Sequence, residues 1–245
     1  MPGPIVAGSQ LPLTGERTVP GIDHENYWFR RHEVAYLAAA AYVAGANLLE
    51  AGCGEGYGAE ILRVSGATVT CLDYDEMTTH HVSQRYPHLR AVRGDLQRLP
   101  FADGGFTAVV NLQVVEHLHD QPGFIRECAR TLAPGGLLVI STPNRLTFSP
   151  GRDSPLNPFH TRELTASELS GLLDPWFSVV DSLGIHHGPR IDIRPGLVGE
   201  LIATAPDDWD DELSTFVSSI AAEDFVVGSD DLDASLDLFT VAKRR

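Results

Sequence analysis

Leu48-Leu49-Glu50-Ala51-Gly52-Cys53-Gly54-Glu55-Gly56-Tyr57-Gly58 sets the reading of the whole chain. Two apolar residues lead into a carboxylate, glycines recur at short intervals, and a helical pattern starts at Ala59-Glu60-Ile61-Leu62. A buried strand, a tight turn and a helix N-terminus in that order build nucleotide-binding α/β domains. Glycine lets the backbone approach a ligand because no Cβ intervenes. The spacing argues against a dinucleotide: Gly56 stands two places after Gly54 rather than three, and Gly58 two later again. A carboxylate at Glu50 would repel a pyrophosphate and suits an ammonium group.

Outward from this turn, strand and helix signals alternate. The pattern predicts seven strands, over residues 48–50, 67–73, 89–95, 106–113, 137–142, 177–183 and 236–242. Residues 137–142 have almost no polar interruption, as expected of a central parallel strand. Helices are expected over 25–44, 59–64 and 121–132, and after a capping box at Thr165-Ala166-Ser167-Glu168. Segment 188–234 breaks the alternation with acidic, helix-like pieces over 197–203 and 209–222, and is read as an insertion that shapes a pocket or a subunit contact. The chain divides into an arm and lid helix (1–46), a cofactor-binding core (47–187), the insertion (188–234) and the last core strand (235–245).

The 245 residues are 43% hydrophobic, enough for one large domain, and carry a formal net charge of -15. Nucleic-acid binders usually show a basic face, and none is evident in bulk. No apolar run reaches the length of a membrane span. Residues 1–13 have neither a basic start nor an apolar stretch, so no signal peptide is expected. Three cysteines without metal-like spacing, Cys53, Cys71 and Cys128, fit reduced core thiols in a cytoplasmic protein.

Asp73 ends the second strand nineteen positions after Gly54. A carboxylate there stands beside a ribose and can accept from its hydroxyls. Asp95, in Arg93-Gly94-Asp95-Leu96, ends the third strand and can accept from an exocyclic amine of a purine. An ammonium, a ribose and an adenine with no phosphate are the parts of S-adenosylmethionine.

The runs LLEAGCGEGYGAEIL, CLDYD, RGDLQRLPF, VVNLQVVEHL and LAPGGLLVISTPN resemble those of the class I S-adenosylmethionine-dependent methyltransferases. The resemblance covers roughly residues 47–183 and the last strand. It implies a Rossmann-like α/β fold with a seven-stranded, mostly parallel sheet and helices on both faces. It also implies that Glu50, Gly52, Cys53 and Gly54 cradle the methionine part, Asp73 and Tyr74 hold the ribose and adenine, Asp95 and Leu96 frame the adenine, and Asn111 and Gln113 border the sulfonium. Outside the core, Leu13 to Pro20, Glu25 to His32 and Ser149 to Glu163 are similar to sugar O-methyltransferases placed in the biosynthesis of polymethylated polysaccharides such as methylglucose lipopolysaccharides.

Methyl transfer to a weakly acidic sugar hydroxyl needs a base or a metal beside the nucleophile. His117 is the first candidate for the base, Glu116 can orient it or bind the sugar, and His160, in a proline-bounded loop, is the second candidate. Tyr27 is assigned to the cofactor; Trp28, Arg31, His32 and His187 are assigned to the acceptor. A magnesium ion on Glu116, His117, His119 and Asp120 is the alternative route, and no metal site is assigned. The expected partners are a carbohydrate acceptor and a second copy of the chain, with no nucleic acid. A small phenol, a quinone precursor or a lipid is the alternative acceptor.

Overall fold

The computed structural model describes residue 11 and residues 17–245. The first part of the expected arm, residues 1–10 and 12–16, lies outside the described residues.

Eight strands form one sheet: β1 (Asn47–Ala51), β2 (Thr68–Asp73), β3 (Arg90–Arg93), β4 (Phe106–Leu112), β5 (Leu132–Pro143), β6 (Phe177–His187), β7 (Phe225–Gly228) and β8 (Asp237–Arg244). Their spatial order is β3-β2-β1-β4-β5-β8-β6-β7. Strands β1 to β5 pair in parallel, whereas β8 runs antiparallel to both β5 and β6. The expected seven strands are therefore eight. The additional one, β7, lies inside segment 188–234 and pairs antiparallel with β6, from Gly184–Gly228 to His187–Phe225. Its Phe225-Val226-Val227 core has strong strand preference, masked in the sequence by the acidic residues on either side.

Helices α1 (Asn26–Val43), α2 (Tyr57–Val64), α3 (Glu76–Arg85), α4 (Gln121–Thr131), α5 (Arg145–Phe148), α6 (Ala166–Leu173), α7 (Pro189–Asp192), α8 (Leu197–Ala203) and α9 (Asp211–Ser218) connect or cover the strands. The pattern did not predict α3, because its buried face carries Thr78, Thr79 and His81 beside a single apolar residue, Val82. Its start was nonetheless signalled: the Asp75 carboxylate caps it by accepting from the Met77 N–H at 2.9 Å.

Strand side chains alternate across the sheet, so an apolar run feeds two cores. Leu48, Val110, Val139 and Phe239 join the cluster that includes Tyr36, Ala59, Leu62 and Val82. Leu49, Val109, Ile140 and Leu238 join the opposite cluster, with Phe124, Ile125, Leu169 and Leu173. Helices thus cover both faces. The chain leaves β1 toward β2 on one side, while β4 takes the other side. This is a topological switch, and α/β sheets bind ligands outside the carboxyl ends of the strands that flank one.

Helix α1 packs against α2 and β4 and is tied to segment 188–234. The Asn26 amide donates to the carbonyls of Val217 and Ile220 at 2.9 and 2.8 Å. Deeper in, the Arg31 guanidinium donates twice to the Asp237 carboxylate of β8, both at 2.6 Å, and once to the Leu236 carbonyl at 2.8 Å.

Candidate active site

The loop between β1 and α2 is shaped by its glycines. Gly52 has φ +94°, and a Cβ there would stand 2.7 Å from Cγ2 of Val114. Gly54 has φ +50°, with nothing within 4 Å of the position a Cβ would take. The first glycine allows the chain to pass close to the β4 loop, and the second leaves open space beside the backbone.

A cavity of about 270 Å³ opens over this loop. Gly52, Cys53, Gly54 and Glu55 line it from the turn, Asp73 and Tyr74 from the end of β2, and Leu96, Gln113 and His117 from the loops after β3 and β4. Asp73 Oδ2 accepts from the Gly54 N–H and Oδ1 from the Asp75 N–H, both at 3.0 Å, which fixes the carboxylate at the cavity wall. Burial raises its pKa above the usual aspartate value.

Glu50 is 1% exposed, and neither of its oxygens has a hydrogen-bond partner. Burial pushes its pKa up to about 8, which the nearby Tyr36 hydroxyl only partly offsets. Native proteins rarely leave a buried carboxylate unsatisfied, and such a group beside a glycine turn marks a ligand site. An ammonium group would meet that need. With the open backbone at Gly54 and the Asp73 carboxylate, these residues fit S-adenosylmethionine.

Glu50→Gln is expected to weaken S-adenosylhomocysteine binding at least about tenfold while stabilising the empty protein at pH 8. The folded pKa of Glu50 lies above the unfolded value, so the unfolded chain ionises first as pH rises. Stability is then lost between about 4.5 and about 8, a loss the glutamine removes. Calorimetric titration and melting curves across that range measure both effects.

Not every expected cofactor residue lines the cavity: Glu50 lies buried behind the turn, and Asp95, Asn111 and Tyr27 are also absent from the wall. Asp95 is exposed, and its carboxylate accepts from the Gln97 N–H at 2.9 Å; it is its neighbour Leu96 that reaches the wall. Asn111 is fully buried, its amide donates to the Ala51 carbonyl at 2.7 Å, tying β4 to β1, and it lines neither cavity. Tyr27 is also fully buried. Its hydroxyl bonds His187 Nε2 at 2.7 Å, and its ring meets Trp28, His187 and Phe225, so Tyr27 is core and His187 is its partner. Neither residue lines this cavity or a second one beside it.

That second cavity, of about 310 Å³, shares Arg17, Thr18, His32, Gln113 and His117 with the first. Its own walls include Trp28, Arg31, Glu116, Phe148, Asn157 and His160. The Trp28 and Phe148 rings are 6.5 Å apart, and the Arg31 guanidinium lies 5.7 and 5.8 Å from their centroids. Arg31 offers no free charge, since Asp237 neutralises it. Gln113, at the junction, is held at φ +58°, a strained value for a residue with a side chain. Its N–H donates to the Ser141 carbonyl at 2.8 Å.

At the same junction, His117 Nδ1 donates to the Phe159 carbonyl at 3.0 Å. A carbonyl only accepts, so this bond puts the proton on Nδ1 and the lone pair on Nε2. Burial and the neighbouring His160 hold the His117 pKa below the usual histidine value. Burial also lowers His32, to about 4. Glu116 is 1% exposed and accepts from the Thr142 hydroxyl at 2.9 Å, and burial raises its pKa to about 7. His160, the second base candidate, has both ring nitrogens engaged: Nδ1 with Glu163 at 2.8 Å and Nε2 with the Asn157 amide at 3.1 Å. One ligand atom each from Glu116, His117 and His160 lies within 4.8 Å of the others, close enough for one cation to bridge.

The sequence pattern assigned no role to Tyr36, Tyr57 or Phe148, and read residues 17–18 only as part of the arm. Arg17 pairs with Asp75 at 3.0 Å and bonds Thr78 at 2.7 Å, and the Thr18 hydroxyl bonds Tyr57 at 2.8 Å, so this segment is held in the wall of the first cavity. Long-range pairs of this kind leave no periodic signal. His119 and Asp120, named in the magnesium alternative, are exposed, and Asp120 caps α4.

A family profile described as "Methyltransferase domain" matches residues 49–140. The chain is 51% identical to a probable S-adenosylmethionine-dependent methyltransferase of Mycolicibacterium smegmatis, over 96% of each chain. It is 38% identical to a ubiquinone biosynthesis O-methyltransferase of a Caulobacter species, over 41% of this chain and 42% of that one. Among solved structures, a SAM-dependent methyltransferase of Thermotoga maritima superposes with a TM-score of 0.62, covering 91% of this chain and 96% of that one. At 16% identity this shows the shared fold.

Proposed function

The chain belongs to the S-adenosylmethionine-dependent methyltransferases, and from that premise we propose that its acceptor is a hydroxyl of a neutral sugar in an oligo- or polysaccharide precursor. The observation that carries this reading is the second cavity. It joins the cofactor cavity at His32, Gln113 and His117, and it pairs aromatic faces with hydrogen-bonding side chains. Sugars are recognised by that combination. Its cations are spoken for: Arg31 by Asp237 and Arg17 by Asp75. Among the described residues a phosphorylated or carboxylated acceptor would find no unpaired guanidinium there, and would face Glu25 and Glu116.

When bound, S-adenosylmethionine supplies a methyl group already activated on a sulfonium. The protein's share is to align the acceptor and to remove one proton. His117 is the base in this reading, with its Nε2 lone pair free and Nδ1 held by Phe159. Glu116 and Asn157 are available to bind sugar hydroxyls. Among the described residues no helix is long and apolar enough to cross a membrane, and the three cysteines are free and buried, which fits a reaction in the cytoplasm.

Incubation with methyl-labelled donor and a panel of short gluco- and manno-oligosaccharides, with product mapping by mass spectrometry, tests the assignment. Label on a sugar hydroxyl is the expected result. Transfer to catechols, quinone precursors or lipids with no labelled sugar would refute it. A second route for the proton has one observation behind it, the close approach of Glu116, His117 and His160. A divalent cation held there would acidify the hydroxyl directly. Assays in chelator separate the two: the base route predicts retained turnover, and the cation route predicts loss restored by Mg²⁺.

A further inference from the structure

We propose that Glu163 is a positioning residue that sets the tautomer of His117 through a polarised chain of hydrogen bonds in the 157–163 loop. The inference rests on the reading of His117 as the base for its consequence in turnover, but not for the tautomer itself.

The chain starts at a costly group. Glu163 is 2% exposed, and its Oε2 has no partner, whereas Oε1 lies 2.8 Å from His160 Nδ1. A carboxylate accepts, so it holds the proton on Nδ1 and leaves His160 Nε2 bare. The bare nitrogen can accept from the Asn157 amide, 3.1 Å away. That bond orients the amide, so Asn157 Oδ1 is the atom that accepts from the Phe159 N–H at 3.0 Å. The Asn157 carbonyl meanwhile accepts from the His160 N–H at 3.1 Å. The peptide unit around Phe159 is thus gripped from both sides, and its carbonyl faces His117 Nδ1 at 3.0 Å.

Each link has a direction, and reversing the first reverses the rest. If His160 carried its proton on Nε2, that proton would oppose the Asn157 amide protons. The amide would turn, and its NH₂ group would then oppose the Phe159 N–H. The peptide would have to move, and the Phe159 carbonyl is what keeps the His117 lone pair on Nε2. Carbonyl or carboxylate partners on the far nitrogen of a functional histidine act in this way in many sites.

The same loop clamps the turn that carries the base. The Thr161 N–H and hydroxyl donate to the Glu116 carbonyl at 2.7 and 3.0 Å, and the hydroxyl also reaches the Leu118 carbonyl at 2.8 Å. The His160 ring stands edge-on to His117, with centroids 4.9 Å apart. A shift of Glu163 therefore reaches His117 by the hydrogen bonds and by ring contact, although Glu163 lines neither cavity.

The test uses the full chain labelled with ¹⁵N-histidine. In the wild type, His117 is expected to show a protonated Nδ1 and an unprotonated Nε2 at neutral pH. Glu163→Ala is expected to give a mixture of tautomers at His117 and a kcat roughly 10- to 100-fold lower, with KM for the donor within about twofold. Glu163→Gln keeps an acceptor oxygen on His160 Nδ1 and is expected to return both readouts toward the wild type. A wild-type His117 protonated on Nε2 would overturn the proposal without any variant. So would an unchanged His117 spectrum in Glu163→Ala, or a glutamine variant no better than the alanine. A tautomer change with no change in turnover would sink the base reading and leave the positioning intact.

Discussion

His117→Ala is expected to lower kcat about 10²- to 10⁴-fold, the contribution of a well-placed general base, with little change in affinity for the donor. In the proposed reading the donor is held by Glu50, Gly54 and Asp73, so the effect is expected on proton removal. The pH dependence follows from the lowered His117 pKa. A base works only when neutral, so activity is lost as pH falls through that pKa, on an acid limb centred below the ordinary histidine value. Raising pH above neutral should not restore the alanine variant at ordinary assay times. Steady-state kinetics between pH 5 and 9 on both proteins would show this. An alanine variant within tenfold of the wild type would remove His117 from the chemistry.

Breaking the pair between Arg31 and Asp237 is expected to be the most destabilising single change at the site. Arg31 is 3% exposed and Asp237 fully buried, with two bonds of 2.6 Å between them. Removing one partner strands the other charge away from water, a cost of about 3–5 kcal/mol. Arg31→Met and Asp237→Leu should each lower the urea midpoint by that equivalent, while the double variant should recover much of it. The pair joins α1 to β8, and Arg31 packs over Trp28 and Phe148 in the wall of the second cavity. Partial recovery of stability without recovery of sugar methylation would separate these two contributions. Single variants as stable as the wild type would show that the pair contributes little.

The sheet was legible because its strands are apolar on both faces and bounded by turn residues. Leu48-Leu49 and Leu137 to Ile140 can be buried strands and little else. The glycine turn was legible because its backbone demands are written in residue type. Helix α3 was not, since threonines and a histidine fill its buried face. Tyr27 and Trp28 are adjacent in sequence, yet one is core and the other lines the second cavity, a difference of one step around a helix. The spacing of Asp95 from its strand suited a purine contact, but the chain turns there, and its carboxylate caps that turn. His160 was visible as a candidate; that Glu163 and Asn157 engage it is a property of the folded loop. Arg31 was assigned to the acceptor, and only the fold shows that β8, over two hundred residues later, places Asp237 beside it.

The account depends on two cavities meeting at His117, one for the methyl donor and one for a neutral sugar. A crystal structure of the protein with S-adenosylhomocysteine and a short neutral oligosaccharide tests this most directly. The predicted result is a sugar hydroxyl oxygen about 3 Å from His117 Nε2, facing the sulfur across the junction, with the donor's amino group near Glu50 and its ribose on Asp73. A sugar bound away from His117, or a donor whose sulfur faces away from the second cavity, would contradict it.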